Sequence, residues 1–313
     1  MFICISACAS LDIPSRPQAT VERFAIDSIS LRDITFLVDI GIINPYPVGL
    51  KLDDVKLVFY VEGRQLFKSD TKKGLRIRAS AKETTSFKVN LKYDDIMNVV
   101  QQYTEREYLN CQADITIVIP LPKLPGIMEK NLSFNYKKDI KIPAIKPTVK
   151  IANFKVHMPS MNEIEQALEK AKKDALDSKL VFNMFSDMLS GKNPSRIINP
   201  DDLDLKLKVD FDIELKNGTR AKLLFNEVAY DFSVNNSKLV VGNTDQIINN
   251  PSGTIIKVSN TFSTRALSSS IIDSFRKKHG NFTLKGQTSV TLPAVITSSP
   301  LKLTFDEAGA FNL

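Results

Sequence analysis

Val55-Lys-Leu57-Val-Phe59-Tyr-Val61 and Val228-Ala-Tyr230-Asp-Phe232-Ser-Val234 each place an apolar side chain at every second position. Strict alternation is the signature of a half-buried β-strand, because successive side chains leave opposite faces of the pleat. The two runs stand 173 positions apart. The same offset relates Asn44 to Asn217, Val48 to Ala221, Leu50 to Leu223, Leu52 to Phe225 and Leu66 to Leu239. Chance supplies one alternating strand easily, but not several at a single offset.

Working outward, Pro17, Val21, Phe24 and Ile26 match Pro147, Ile151, Phe154 and Val156 at an offset of 130. Ile96 with Ile271, Gln112 with Gln287 and Ile115 with Val290 give 175. The step from 130 to 173 locates an insertion of about 43 residues in the second copy, after Val156 and before Leu203. Other alternating runs are Ile34 to Ile42, Phe87 to Leu91, Ile115 to Ile119 and Leu203 to Leu215. Short strands with turn residues between them read as a mainly β chain of two tandem antiparallel β-sandwiches, residues 17–146 and 147–313. One short helix is expected in each copy, from Asp94 to about Glu105 and from about Thr264 to Lys277. Ile96, Val99, Val100 and Tyr103 share a side in the first, and Leu267, Ile271 and Phe275 have helical spacing in the second.

The insertion breaks the period of two. Ser160-x-x-Glu163 after Pro159 is a capping box, and Gly191 followed by Pro194 is a stop signal, so helix is expected over 159–194, with the whole insertion reaching about 200. Met161, Ile164, Leu168, Ala171 and Ala175 form one stripe; Leu180, Val181, Met184, Phe185, Met188 and Leu189 form another. At 100° per residue the stripes do not share a face, which predicts a kink or two helices meeting near Asp177-Ser178. The segment either fills a gap on the second sandwich or presents a binding element. In the latter case Leu180, Met184, Phe185 and Met188 are the candidate interaction residues for a protein or lipid partner, because methionine makes an adaptable surface.

Composition narrows the function classes. Over 313 residues, 43% hydrophobic and 25% charged content is that of a folding chain, not a disordered one. The net charge of +7 is spread along the chain, whereas a nucleic-acid site needs a clustered basic stripe with exposed aromatics, so none is expected. Three cysteines, Cys4, Cys8 and Cys111, are an odd number without a CxxC pair, which argues against a disulfide framework or a structural zinc site. With His157 and His279 as the only histidines, no metal and no cofactor is expected. Ser69-x-x-Lys72 lacks the partner motifs of penicillin-binding proteins and is read as a polar loop. Asp53-Asp54, Asp94-Asp95 and Asp201-Asp202 read as caps and turn formers. No enzyme activity is expected.

The N-terminus carries one further signal. Ile5-Ser6-Ala7-Cys8 resembles the lipobox of bacterial lipoproteins, with Cys8 as the lipidated residue. It sits before a linker, Ala9 to Pro17, so that residues 1–16 would be a signal remnant and linker. Only seven residues precede Cys8, fewer than a basic region and an apolar run require. Either the reading frame begins further upstream or the match is accidental. The first case places the protein on a bacterial envelope, anchored to membrane by acyl chains that each add about 0.8 kcal/mol per buried methylene. The second leaves it in the cytoplasm.

Val38-Asp-Ile-Gly-Ile-Ile-Asn44-Pro45-Tyr46-Pro47-Val-Gly-Leu-Lys-Leu52 resembles the hallmark of the water-stress and hypersensitive-response domain of the late embryogenesis abundant group 2 proteins. Val55 to Gly63 and Phe134-x-Tyr136 to Ile142-Pro143 fit the same domain. The resemblance covers nearly all of 17–146 and, more faintly, 147–313, where Asn217-Gly218-Thr219 replaces the Asn-Pro step. It implies a sandwich similar to fibronectin type III and a non-enzymatic, desiccation-associated role, with no catalytic residues or cofactor. Asn44 and Pro45 are structural in this reading: Asn bonds its own backbone two residues on, while Pro fixes φ and removes a donor. The alternative role is a lipid or hydrophobic-ligand carrier that uses the inserted helices.

Overall fold

A computed structural model describes residues 16–52, 54–71, 75–123, 130–173, 176–192, 203–244, 246–251, 253–266 and 268–312. The chain is mainly β, and its contacts divide it into two compact units. The first unit comprises Met1–Asp27, Ile34–Gln101 and Leu109–Ile142; the second comprises Ser28–Asp33, Gln102–Tyr108 and Pro143–Leu313.

In the first unit β1 (Gln18–Ser30), β2 (Asp33–Asn44) and β7 (Ala81–Lys92) are neighbours in one sheet. The other sheet has the order β5-β4-β8-β9, from Arg64–Thr71, Asp54–Val61, Tyr108–Pro120 and Asn131–Pro143. A two-stranded pair, β3 (Leu50–Leu52) with β6 (Leu75–Ile77), completes it. Burial follows the pleat. Ile34, Phe36, Val38, Ile40 and Ile42 of β2 are buried, as are Val55, Leu57, Phe59 and Val61 of β4 and alternate residues of β8 from Leu109 to Ile119. Phe59 holds the middle of this core, 5.5 Å from the ring of Phe36 and 5.8 Å from that of Phe67. Burying each such side chain contributes about 1.5–3 kcal/mol, so the alternating pattern decides which way every strand faces.

The second unit repeats the strand order. One sheet runs β10-β11-β15-β14, from Pro147–Val156, Lys206–Asn217, Gly253–Ser263 and Ile247–Asn250. The other runs β13-β12-β16-β17, from Ser237–Thr244, Leu224–Val234, His279–Thr291 and Leu301–Asn312. Phe232 is central, with ring centroids 4.5 Å from Phe211, 6.1 Å from Phe154 and 6.2 Å from Phe311. Phe154 reaches this cluster from a bulge, where Asn153 has φ 53° and the register shifts between Ala152 and Lys155.

The β4–β5 and β12–β13 hairpins have the same construction. Val61 pairs Arg64 across Glu62-Gly63, and Val234 pairs Ser237 across Asn235-Asn236, with positive φ at all four turn residues. Such two-residue turns match the right-handed strand twist. Each is tied to the next strand in the same way. Asn110 N donates to Glu62 Oε1 at 2.7 Å, and Asn281 N donates to Asn235 Oδ1 at 3.0 Å. Glu62 and Asn235 also donate their own N–H groups to the carbonyls of Asn110 and Asn281, at 2.9 and 2.8 Å.

This equivalence corrects the third sequence offset. Val61 pairs Cys111 and Val234 pairs Phe282, so β8 and β16 correspond at 171, not 175. The two offsets differ by four, an even number. A slip of that size keeps every side chain on its own face and is invisible to alternation alone.

The helical expectations needed trimming. In the first unit α1 covers only Tyr93–Val99. A separate 3₁₀ turn at Tyr103–Glu105, in the second unit, follows Gln102 at φ 53°. The other expected helix is a 3₁₀ turn, Thr264–Ala266, and then α4, Ser269–Lys277. The insertion forms two helices, α2 (Met161–Lys170) and α3 (Ser178–Leu189). Ser160 and Glu163 make the capping box that starts α2, and Asp177 caps α3 by accepting from Lys179 N at 2.9 Å.

Both helices close with a left-handed residue. Gly191, φ 76°, ends α3, with Gly191 N and Lys192 N donating to the carbonyls of Met188 and Asp187. Lys172, φ 53°, ends α2, with Lys172 N and Lys173 N donating to those of Glu169 and Leu168. Both are Schellman closures, but a Cβ in this conformation costs about 1–2 kcal/mol, partly offset by the greater unfolded freedom of glycine. Lys172→Gly is therefore expected to raise stability by about 0.5 kcal/mol, read as a higher urea midpoint at unchanged slope.

Candidate functional site

Asn44 ends β2 and is fully buried (0% exposed). Its Nδ2 donates to the carbonyls of Val48, at 2.9 Å, and Arg78, at 2.8 Å, while its Oδ1 accepts from Tyr46 N at 3.0 Å. One side chain thus closes the turn and fastens it to the segment after β6. Pro45 beside it is half-buried.

In the second unit Asn217 ends β11, and its Nδ2 donates to Ala221 O at 2.9 Å. That bond, to a carbonyl four residues on, is the counterpart of Asn44 to Val48. Asn217 also donates to Ala144 O at 3.2 Å and accepts from Lys146 N at 2.8 Å. The amide bonds the carbonyl four residues on in both units, whereas its oxygen accepts from Tyr46 N in one and Lys146 N in the other, and the next residue is Pro45 in one and Gly218 in the other.

Around Asn217 the second unit opens a cleft of about 600 Å³. Its apolar wall includes Leu215, Ala221, Leu223 and Phe225, and its rim carries Lys216, Arg220 and Lys222. Among the described residues no carboxylate lines it. Asn249 braces the mouth: Phe225 N donates to Asn249 Oδ1 at 3.2 Å, and Asn249 Nδ2 donates to Phe225 O at 3.0 Å. Gly253, also at the mouth, has φ 148°, and a Cβ there would stand 2.5 Å from Leu215 O. At the corresponding end of the first unit, β3 pairs with β6 and buries Leu50, Leu52 and Ile77. The 173 offset maps Leu50 to Leu223, which is only half-buried, while the adjacent Leu224 is 47% exposed. The sequence reading missed this cleft, because it arises from a strand pair that the second unit does not form at those positions.

A second polar cluster stands where the insertion leaves the sandwich. His157 Nε2 lies 2.6 Å from Asp210 Oδ2, and Lys208 Nζ lies 3.4 Å from the same oxygen. Burial disfavours the Asp210 charge, but interactions with Ser259, His157 and Lys208 outweigh it and hold the carboxyl below its ordinary pKa.

The other sequence candidates fall as follows. Met184, Phe185 and Met188 are buried and Leu180 is half-buried, with α3 in contact with α2 and α4. Of the two readings of the insertion, burial favours packing on its own unit over a binding element: the apolar stripe faces the interior of that unit, along with Ile164, Leu168 and Ile271. Ser69 lies in strand β5 opposite Leu57, not in a loop. Cys4, Cys8, Asp53, Lys72, Asp201 and Asp202 lie outside the described residues. Asp94 and Asp95 occupy the first turn of α1. Cys111 is buried, and burial pushes its thiol pKa up, away from a reactive thiolate. Among the described residues no helix is long and apolar enough to cross a membrane.

No protein-family model matches the chain, and no curated protein matches it. Solved structures do. A protein from Archaeoglobus fulgidus aligns at a TM-score of 0.31 and 8% identity, over 41% of this chain and 95% of its own. An Arabidopsis thaliana protein aligns at 0.33 and 18%, over 45% and 91%. A protein with a provisional late embryogenesis abundant title aligns at 0.29 and 17%, over 42% and 73%. Each spans less than half of this chain, and likenesses at these scores carry no argument about activity.

Two outcomes are expected of the site. Asn44→Ala orphans the carbonyls of Val48 and Arg78 and should cost about 3 kcal/mol, while Pro45→Ala costs under about 1 kcal/mol. Urea unfolding measures both, and equal losses would remove the amide from its central place. For Asp210, a folded-state pKa below the unfolded one means its contribution is present above the ordinary carboxyl range and is lost as pH falls through the lowered value. Asp210→Asn should therefore flatten the acid limb of the stability–pH curve, read from urea unfolding at a series of acidic pH values.

Proposed function

We propose that this chain is a non-enzymatic, stress-associated protein of the late embryogenesis abundant group 2 type, made of two copies of one domain. In this reading it is tethered to a bacterial envelope through acyl chains on Cys8 and acts by contacting and protecting envelope components. The observation that supports it best is the amide brace. Asn44 sits in the Asn-Pro motif that carries the family resemblance, and Asn217 makes the corresponding bond in the second unit. The shared strand order and the matching hairpin ties support descent from one domain. Burial of Met184, Phe185 and Met188 speaks against a carrier built on the inserted helices.

Two measurements test this role. Mass spectrometry of protein from native membranes should find Cys8 acylated at the new N-terminus, and Cys8→Ala should release the protein to the soluble fraction. Purified protein, dried with a desiccation-sensitive enzyme, should preserve more of that enzyme's activity than an equal mass of serum albumin. An unmodified Cys8 removes the tether, and protection no better than albumin removes the stress role.

A further inference from the structure

From the cleft beside Asn217 we infer that the second unit binds a soluble single-chain amphiphile with an anionic head, of the fatty-carboxylate class. This inference does not depend on the tether at Cys8 or on the stress role.

Three features of the cleft point to that chemistry. Its volume, about 600 Å³, falls within the range of small-molecule sites, about 300–1,000 Å³. Its wall of Leu215, Ala221, Leu223 and Phe225 offers apolar surface to a hydrocarbon chain, and transfer of such a chain from water is favourable in proportion to the area covered. Its charge is of one sign. Lys216, Arg220 and Lys222 all line it, none of them makes an ion pair among the described residues, and no carboxylate is there to compete for them. An apolar wall under a cationic rim fits a ligand that is apolar along its length and negative at one end; a neutral or cationic amphiphile forfeits the rim.

The cleft is also built to stay open. Asn249 exchanges two hydrogen bonds with the backbone of Phe225, so β12 and β14 are clamped at its edge. Its Oδ1 further accepts from Thr254 Oγ1 at 2.9 Å. The first unit fills the corresponding end with the paired β3 and β6, and the second leaves Leu223 and Leu224 partly in water. Leaving apolar side chains uncovered forfeits stability, and a ligand that covers them restores it.

Full-length protein is titrated with laurate, dodecanol and dodecyltrimethylammonium against a displaceable dansyl fatty acid. Laurate should compete saturably at one site per chain and at least tenfold more tightly than the other two. The Lys216→Ala/Arg220→Ala/Lys222→Ala variant changes only exposed side chains, so it should fold, and it should weaken laurate at least tenfold with little effect on dodecanol. Leu223→Gln should weaken both. The inference fails if laurate shows no saturable binding, if laurate and dodecanol compete equally, or if both variants bind laurate like the parent. It fails too if only phosphatidylglycerol vesicles, and no soluble amphiphile, are bound.

Discussion

The amide of Asn44 ties the last residue of β2 to the turn that follows it and to the segment after β6. A sandwich strand must end somewhere, and its last carbonyls and the turn that follows then need partners inside the protein. Asn44 answers in a fully buried position by donating to two carbonyls and accepting from Tyr46 N; Asn217 shares the bond to the carbonyl four residues on, and adds Ala144 O, Thr219 Oγ1 and Lys146 N as its own partners. Both meet the requirement with geometry that alanine, aspartate or glutamine would not reproduce. The residue after the asparagine is free to vary because it only has to let the chain turn. Proline does this by restricting φ; at Gly218 the absent Cβ leaves room for the Lys146 carbonyl, which would stand 3.2 Å from it.

With the strand ends fixed, the remaining architecture follows from alternation. The strands of each unit could be read as strands, and the faces of β2, β4, β8, β11 and β12 could be assigned, because burial with period two leaves a visible trace. The capping box at Ser160 and Glu163 was legible for the same kind of reason: it is a local contract between residues three apart. What stayed hidden was whatever alternation leaves degenerate. A four-residue slip between β8 and β16 preserves facing, so the correspondence shows only in the ladder register, Val61 opposite Cys111 and Val234 opposite Phe282, and in the hairpin ties to Asn110 and Asn281. The helices ran short for a related reason. Helical spacing continues through Val100 to Tyr103, but the backbone does not, since Val100 is already extended at φ −97° and ψ 116° and Gln102 is left-handed.

The inserted helices show the limit of reading amphipathicity as exposure. A stripe of Leu180, Met184, Phe185 and Met188 looks the same in sequence whether it faces a partner or its own domain. The structure places α3 against α2 and α4, which gives the stripe an interior of its own. Periodicity reports that a face is apolar; only the fold reports what covers it.

The same distinction explains why the cleft was not foreseen. Leu50, Leu52 and Ile77 in the first unit and Leu223 and Phe225 in the second carry nearly equal hydrophobicity, so their sequences forecast equal burial. The difference lies in a partner strand. β3 and β6 find each other in the first unit, whereas residues 221–223 form no ladder in the second, and Asn249 instead pins Phe225 from β14. The second unit leaves that end of its sandwich unpaired yet keeps its core, its hairpin tie and its amide brace, and holds there an apolar recess ringed by Lys216, Arg220 and Lys222. The first unit closes that end with a paired ladder, while the second gives up part of its burial to a surface that a ligand can cover.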